Sequence, residues 1–332
     1  MALINVILSG GAGSRLWPLS RKSKPKQYIP IFNNTSLFQM GVERNKNLAD
    51  QMMVVGSIDN YLLSRSEFGK ANVTNYIEIV EAAPRNTAAS IAFAAMAVAP
   101  DDVLLVTPSD HIIKGEDAYE SVVAHAKELA VQGYIVTFGA KPTRPETGYG
   151  YIEHDADFNV LSFKEKPSAA VAESFLQAGT FLWNSGMFCF TAATYLEELA
   201  KYAPEVLQAA RQAFEQSADG FLPLDETMKI PAVSVDYAVM EHSQKIKVVP
   251  FSFEWNDLGS FDAIWEYLEK QTEYSSVKNL VLGSNKHVEF LGVENLILVE
   301  TPDAILVVPR DQTQDVKKVY ERLEKEKATL IA

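Results

Sequence analysis

Positive charge is concentrated at the start of this chain. Arg15, Arg21, Lys22, Lys24 and Lys26 all precede the first acidic residue, Glu43, in a protein whose formal net charge is -13. They follow an apolar run, "LINVIL", that breaks into Gly10, Gly11 and Gly13. Glycines after a strand let backbone N–H groups approach an anion, and cations close behind neutralise a polyphosphate. A surface turn with solvated lysines would explain either feature alone; together they point to a phosphate cradle. Two familiar cradles are excluded by spelling. The pattern G-x-x-x-x-G-K-[ST] is absent, because Arg15 and Leu16 stand where a Gly-Lys pair is required. The dinucleotide fingerprint fails because Leu16 replaces its third glycine and no acid follows at the ribose-binding distance.

A second candidate is "VLLVTPSDH", where an apolar run delivers Asp110 at its end. Ligands of open α/β sheets bind at the carboxyl ends of strands. A carboxylate there suits Mg²⁺, which takes one or two carboxylates plus phosphate oxygens, so a second acid must converge from elsewhere. An Asp after a strand is also a common turn or helix cap. The five histidines, at 111, 125, 154, 242 and 287, show no ligand spacing, and no Ser-His-Asp or Cys nucleophile can be read. Cys189, the lone cysteine, lies between Phe188 and Phe190 and reads as a small core residue.

The elements that must position these groups alternate in type. The β-rich runs "NVILS", "MMVVG", "YIEIVE", "VLLVTPSD" and "YIVTFG" are separated by helical patterns, which predicts β-α-β units and a largely parallel sheet. Apolar spacing predicts a helix over Ala118–Ala130 with Gly133 at its C-terminal cap. Asn86 reads as the N-cap of a helix that Pro100 ends. "SAAVAESFLQAG" and "ATYLEELAKY" read as helices and "KIKVVPFSF" as a strand. After Tyr274 the runs "NLVLG", "HVEFLG", "NLILVET" and "AILVVPR" follow too closely for crossover helices, which predicts a small all-β unit. A helix from Asp311 closes it, with Asp311 and Gln314 spaced as a capping box. The domain boundary is placed near residue 270, giving domains 1–270 and 271–332.

Length and composition fit one large globular domain plus a smaller one, with 332 residues, 47% of them hydrophobic and 22% charged. A pI near 4.9 argues against general attraction to nucleic acid. The longest apolar stretch, "SIAFAAMAVAP", falls short of the roughly 18 residues a membrane span needs, and no secretory start is visible. The expectation is a cytoplasmic protein.

"SGGAGSRLWPLSRKSKPKQ" resembles the signature G-G-x-G-x-R-L-x-P-L followed by K-P-K of the sugar-nucleotide pyrophosphorylases, and within them the mannose-1-phosphate guanylyltransferase branch. "PRNTAASI", "ETGYGYI", "FKEKP", "WNSGMF" and "EWNDLGS" match the same family in order. The resemblance implies a Rossmann-like α/β nucleotidyltransferase domain and a small C-terminal β unit like a left-handed β-helix. It implies transfer of GMP from GTP to mannose 1-phosphate, giving GDP-mannose and pyrophosphate with Mg²⁺. The implied nucleotide-binding residues are Leu8, Gly10, Gly11, Ala12, Gly13, Arg15, Arg85, Asn86, Thr87 and Ser109. Arg15, Lys26 and Asp110 are the implied catalytic set, with Asp110 and Asp257 on the metal. Gly148, Gly150, Glu165, Lys166 and Asn184 are implied at the sugar phosphate, Lys166 on its 1-phosphate. The family pattern also implies a homodimer and, because longer relatives carry a fused isomerase domain, a monofunctional chain.

Three departures stand out: Lys164, Ala89 and Phe261 replace the usual residues of "FVEKP", "RNTAPAI" and the tryptophan after "DLGS". None removes a proposed catalytic group, and Lys164 adds charge beside the sugar-phosphate motif. The rival readings are the same chemistry on another sugar 1-phosphate or another nucleoside triphosphate, or a silent regulatory subunit that binds nucleotide sugar.

Overall fold

The computed structural model describes residues 1–31, 34–270 and 278–332. The chain forms two compact units, neither of them a single stretch: residues 1–10, 41–109 and 113–255 make one, and residues 11–40, 110–112 and 256–332 the other. The single boundary expected near residue 270, and the composition shift after Tyr274, adjoin or fall in residues 271–277, outside the described residues.

Up to residue 256 the strands are β1 (Leu3–Ser9), β2 (Gln51–Ser57), β3 (Tyr76–Glu81), β4 (Val103–Pro108), β5 (Ile112–Lys114), β6 (Ile135–Ala140), β7 (Tyr151–His154), β8 (Val160–Lys164), β9 (Phe181–Thr191), β10 (Ile246–Phe251) and β11 (Glu254–Asn256). The helices over the same span are α1 (Leu37–Asn45), α2 (Tyr61–Lys70), α3 (Thr87–Met96), α4 (Glu116–Val131), α5 (Ala169–Ala178), α6 (Ala192–Tyr202), α7 (Pro204–Glu215) and α8 (Leu224–Thr227).

In the first unit the sheet runs in the order β10-β6-β9-β4-β1-β2-β3, with β7 paired to β9 and β8 to β7. Along this path β10-β6, β4-β1, β1-β2 and β2-β3 are parallel, and only β9 runs against its neighbours, so the sheet is mixed and mainly parallel as expected. Both faces are covered. Ile4, Val6, Leu104 and Val106 join one apolar cluster with α3, α6 and α7, while Leu3, Val103 and Leu105 point the other way toward Tyr119, Val123 and Ala126 of α4. Burial on both faces explains why these strands read as unbroken apolar runs rather than alternating ones. The α3 residues Ala88–Ala95 are buried on every side, as a helix apolar all round must be. The order reverses at β1, which has β2 on one side and β4 on the other. Their carboxyl ends, Ser9-Gly10 and Ser109, therefore lie at a switch point where ligands of such sheets bind.

Local expectations hold with small shifts. The amphipathic helix covers Glu116–Val131, and Gly133 follows its cap with φ +89°. α3 begins after Asn86, whose side chain accepts from the Thr87 N–H at 2.9 Å, but it ends at Met96, before Pro100.

The second unit contains β12 (Leu280–Leu282), β13 (Leu296–Glu300) and β14 (Ile305–Pro309), with α9 (Phe261–Glu269) and α10 (Val316–Lys325). β12 runs parallel to β13 and β14 antiparallel to it. Its core joins Leu16 and Trp17 to Phe261, Ile264, Trp265, Ile297, Val299, Tyr320 and Leu323. Two expectations are corrected. "HVEFLG" forms no strand: Val288 and Phe290 are half-buried, but Leu291 is 96% exposed and the run joins no ladder. The helix does not start at an Asp311 capping box; Arg310–Asp315 winds as a 3₁₀ segment with Thr313 turned inward, and α10 starts at Val316. Arg310 is tied to Asp262 at 2.6 Å and to Glu269 at 2.8 Å, both on α9, and this anchors the tighter turn. No helix among the described residues is long and apolar enough to cross a membrane.

Candidate active site

The second unit gathers the signature loop and both proposed metal carboxylates. Gly11 and Gly13 adopt φ +85° and +63°, conformations L side chains rarely take. A Cβ on Gly13 would also come within 2.6 Å of the Lys26 Cβ and 2.9 Å of the Ser20 hydroxyl. The glycine is thus what lets the loop close onto Lys26. Ala12 is half-buried between them. The 3₁₀ turn Ser14–Leu16 is pinned by buried Leu16. Arg15 on this turn is half-exposed, and its guanidinium makes no hydrogen bond or ion pair among the described residues.

Lys26 opens the buried 3₁₀ turn Lys26–Tyr28, and its side chain is only 6% exposed. Its ammonium lies 2.7 Å from Oδ2 of Asp110 and 2.6 Å from the backbone oxygen of Asp257, to which it donates. The Asp257 carboxylate accepts from the Gly259 N–H at 3.1 Å; a Cβ on Gly259 would come within 2.6 Å of its other oxygen. Burial pushes the Asp110 carboxyl up, but the Lys26 ammonium, helped by His111, holds it below the usual aspartate range. Asp110 is therefore an acceptor at any physiological pH.

Among the described residues no group of three or more His, Cys, Asp or Glu side chains could hold a metal unaided. The Asp110 carboxylate and the backbone oxygen of Asp257 meet at one ammonium, which brings a second aspartate into the neighbourhood. Two carboxylates are a hard-oxygen donor set that fits Mg²⁺ if phosphate oxygens and water complete its shell.

The first unit holds the remaining candidates in three places. At the switch point the Ser109 N–H donates to the Leu8 carbonyl at 3.1 Å, and Gly10 is exposed with open space where a Cβ would stand.

At the start of α3, Asn86 has φ +67° and caps the helix. The Arg85 guanidinium donates to the carbonyls of Thr227 and Met228, so it ties down that turn. Thr87 Oγ1 accepts from the Val235 N–H at 2.9 Å. Glu81, at the carboxyl end of β3, is a residue sequence reasoning missed. It is buried, its two oxygens share the single hydroxyl of Ser90 at 3.0 and 3.1 Å, and burial pushes its carboxyl up to about 7.

At the third place the structure brings Gly150, Glu165, Lys166 and Asn184 together. The Asn184 N–H donates to the Gly150 carbonyl at 2.8 Å, and a Cβ on Gly150 would lie 2.6 Å from Glu165 Oε2. The glycine makes room for that carboxylate. Lys166 pairs with Glu165, sits at φ +45°, and donates its N–H to the Tyr149 carbonyl at 3.2 Å. A non-glycine residue in that region stores strain of the kind that clusters at functional sites. Gly148 instead donates its N–H to Glu146 Oε1 at 2.9 Å, within its own loop. Asp236, also missed, accepts from Asn184 at 3.2 Å. Its only sequence signal is an acid set in the apolar context "AVSVDYAVM".

A mixed α/β sheet with a switch point and a strained Glu-Lys motif in one unit, and in the other a glycine loop closed onto a buried lysine that contacts two aspartates, are the parts of a nucleotide-handling enzyme. The chain belongs to the nucleotidyl transferase family, whose model matches residues 4–274. Residues 273–323 match a second model, the MannoseP isomerase/GMP-like beta-helix domain. A mannose-1-phosphate guanylyltransferase of Klebsiella pneumoniae is 37% identical over 97% of this chain and 74% of its own length. The alginate biosynthesis protein AlgA of Pseudomonas aeruginosa is 39% identical over 97% of this chain and 72% of its own. A solved structure from Thermus thermophilus, described as a mannose-1-phosphate geranyltransferase, superposes with a TM-score of 0.83 at 30% identity, covering 98% of this chain and 100% of that one.

Proposed function

We propose that this protein transfers GMP from GTP to α-D-mannose 1-phosphate, releasing pyrophosphate and GDP-mannose. The observation that carries the reading is Lys26, a buried ammonium held between Asp110 and Asp257 against a loop that only Gly13 allows to close. An oxygen of the sugar phosphate attacks the α-phosphorus of GTP in line. The bond from that phosphorus to the bridging oxygen breaks, and the electron pair leaves with pyrophosphate. The substrates bring their own nucleophile and leaving group, so the protein's part is positioning and charge stabilisation.

Backbone groups from Leu8 and Gly10 to Gly13, with Ser109, hold the triphosphate. Arg15, whose guanidinium has no partner among the described residues, and Lys26 offset charge as it develops on the transferred phosphoryl and on pyrophosphate. Asp110 and Asp257 hold Mg²⁺, which when bound supplies further positive charge to the triphosphate. Lys166 takes the 1-phosphate of the sugar, while Glu165, Asn184 and the backbone at Gly148 and Gly150 address its hydroxyls. Arg85, Asn86 and Thr87 shape the base side from the start of α3. Glu81 supplies guanine selectivity: its two oxygens share one donor, and the guanine edge offers N1–H and N2–H side by side. The working form is a cytoplasmic homodimer, in which residues 1–270 carry the chemistry and residues 271–332 add the β unit that packs with residues 11–40.

The test is pyrophosphate release with GTP and mannose 1-phosphate, each omitted in turn, against a panel of other sugar 1-phosphates and nucleoside triphosphates. Release should require both substrates and fall at least ~100-fold in Asp110→Asn, the scale of losing one preorganised charge. Release from GTP alone, or none with any pair, would sink the reading.

A further inference from the structure

Asp236 has no role in the scheme above. It opens a single π-helical turn, Asp236–Met240, a form of winding often found at functional sites. The residue before it is tied to the start of α3 through the Val235 N–H and Thr87 Oγ1. Its own carboxylate oxygen accepts from Asn184 Nδ2 at 3.2 Å. The other end of that amide is occupied too. Asn184 Oδ1 accepts from the Gly186 N–H at 2.9 Å and from the Thr137 hydroxyl at 3.4 Å.

A backbone N–H can only donate, so the oxygen of Asn184 is fixed toward Gly186 and its NH₂ toward Asp236. The carbonyl oxygen has both acceptor sites filled, and one amide hydrogen is committed to Asp236. What Asn184 can offer a ligand is its remaining hydrogen. A hydroxyl that accepts this hydrogen is free to donate its own O–H to an acceptor, and the Glu165 carboxylate stands in the same cluster to accept it.

We propose that Asp236 is a positioning residue for the sugar: its carboxylate holds Asn184 as an obligate donor, so that Asn184 and Glu165 together read a hydroxyl as acceptor and donor at once. The inference rests on the proposed sugar subsite and adds to it a residue that works through Asn184. The groups facing Asp236 are the Glu165 carboxylate, which repels its charge, the Lys166 ammonium, which favours it, the Ser234 hydroxyl, and Tyr195 of α6, whose buried phenol is pushed further up by it. Helix α3 contributes no ionisable side chain, and β9 only the inert Cys189. Burial first, and Glu165 second, push the Asp236 carboxyl up to about 6. Its grip on Asn184 is therefore complete above that pH and weakens below it.

The experiment measures kcat and KM for each substrate in the wild type and in Asp236→Asn from about pH 5 to 8. Near pH 7.5 the variant should raise KM for mannose 1-phosphate about tenfold or more, the scale of a charge-assisted hydrogen bond, and leave KM for GTP within about twofold. The ratio of the two proteins' kcat/KM cancels the substrate's own phosphate ionisation. It should shrink to about threefold or less at pH 5, where the wild-type carboxyl is protonated as well. A ratio independent of pH, or an equal rise in both KM values, overturns the proposal. In an Asn184→Ala background Asp236→Asn should cost about twofold or less, and its full cost there would also overturn it. Calorimetric binding of mannose 1-phosphate to wild type and Asp236→Asn tests Asp236 separately, so a protein that binds the sugar phosphate without turnover sinks the functional reading alone.

Discussion

Glu81 and Asp236 are the two carboxyls that burial pushes up most clearly, and Glu81 offers a test through stability. Its carboxyl stands at about 7 in the fold, against an ordinary value of 4.5. Between those values the folded protein keeps a proton that the unfolded chain releases, so stability falls as pH rises through the window and the full penalty is present above 7. Glu81→Gln removes the charge and keeps a side chain able to bond Ser90. The variant should match the wild type near pH 4 and exceed it by about 3 kcal/mol near pH 8. Urea melts at the two pH values check this; an equal offset at both would sink it. Neither residue was legible in the sequence, because an acid that ends a strand and one set in an apolar run gain their meaning from what the fold packs around them. Lys26, Asp110 and Asp257 were visible as motif letters. That the Lys26 ammonium is shared by the Asp110 carboxylate and the Asp257 backbone oxygen was not.

Among elements, the opening segment is where the structure changes the reading most. Arg21 and Lys22 first appeared as parts of an anion cradle. Arg21 instead pairs with Asp303 at 2.8 Å and donates to the Leu330 carbonyl, and Lys22 pairs with Glu324 at 2.6 Å. The buried indole of Trp17 also donates to the Leu330 carbonyl, at 2.9 Å. Trp17→Phe leaves that carbonyl its bond from Arg21, so the change should cost only about 1 kcal/mol, whereas Trp17→Ala empties a core position and should cost about 3–5 kcal/mol. Equal losses by chemical denaturation would show that the hydrogen bond, not packing, holds this corner. The strands and helices of the first unit were legible because burial on both faces writes itself into apolar runs and 3.6-residue spacing. "HVEFLG" misled for the complementary reason: alternation shows which side chains could face inward but not whether a neighbouring strand is there to pair.

At the scale of the molecule, the two units are each assembled from distant pieces of chain. Residues 11–40 belong with 256–332, and their shared core contains Leu16, Trp17, Phe261, Ile297 and Tyr320. A sequence read from left to right suggests a catalytic body followed by a removable tail. The packing says otherwise, because removing residues 271–332 would take Leu280, Ile297, Val299, Tyr320 and Leu323 out of the apolar cluster that holds Leu16 and Trp17. A chain ending at residue 270 should therefore lose about 100-fold or more in turnover and show exposed apolar surface by dye binding. Retention of full activity as a soluble monomer would show that the loop keeps its shape without residues 271–332.

The bond between Trp17 and Leu330 spans 313 residues. On a ribosome adding roughly 5–20 residues per second, the loop that includes Lys26 is made within seconds and waits roughly 15–60 s more before its packing partner exists. During that interval the large sheet can form strand by strand, while the glycine loop remains without its support. Activity is thereby tied to completion of synthesis: a stalled or prematurely released chain exposes Trp17 and the basic segment together, a hydrophobic and cationic patch of the kind chaperones and proteases act on.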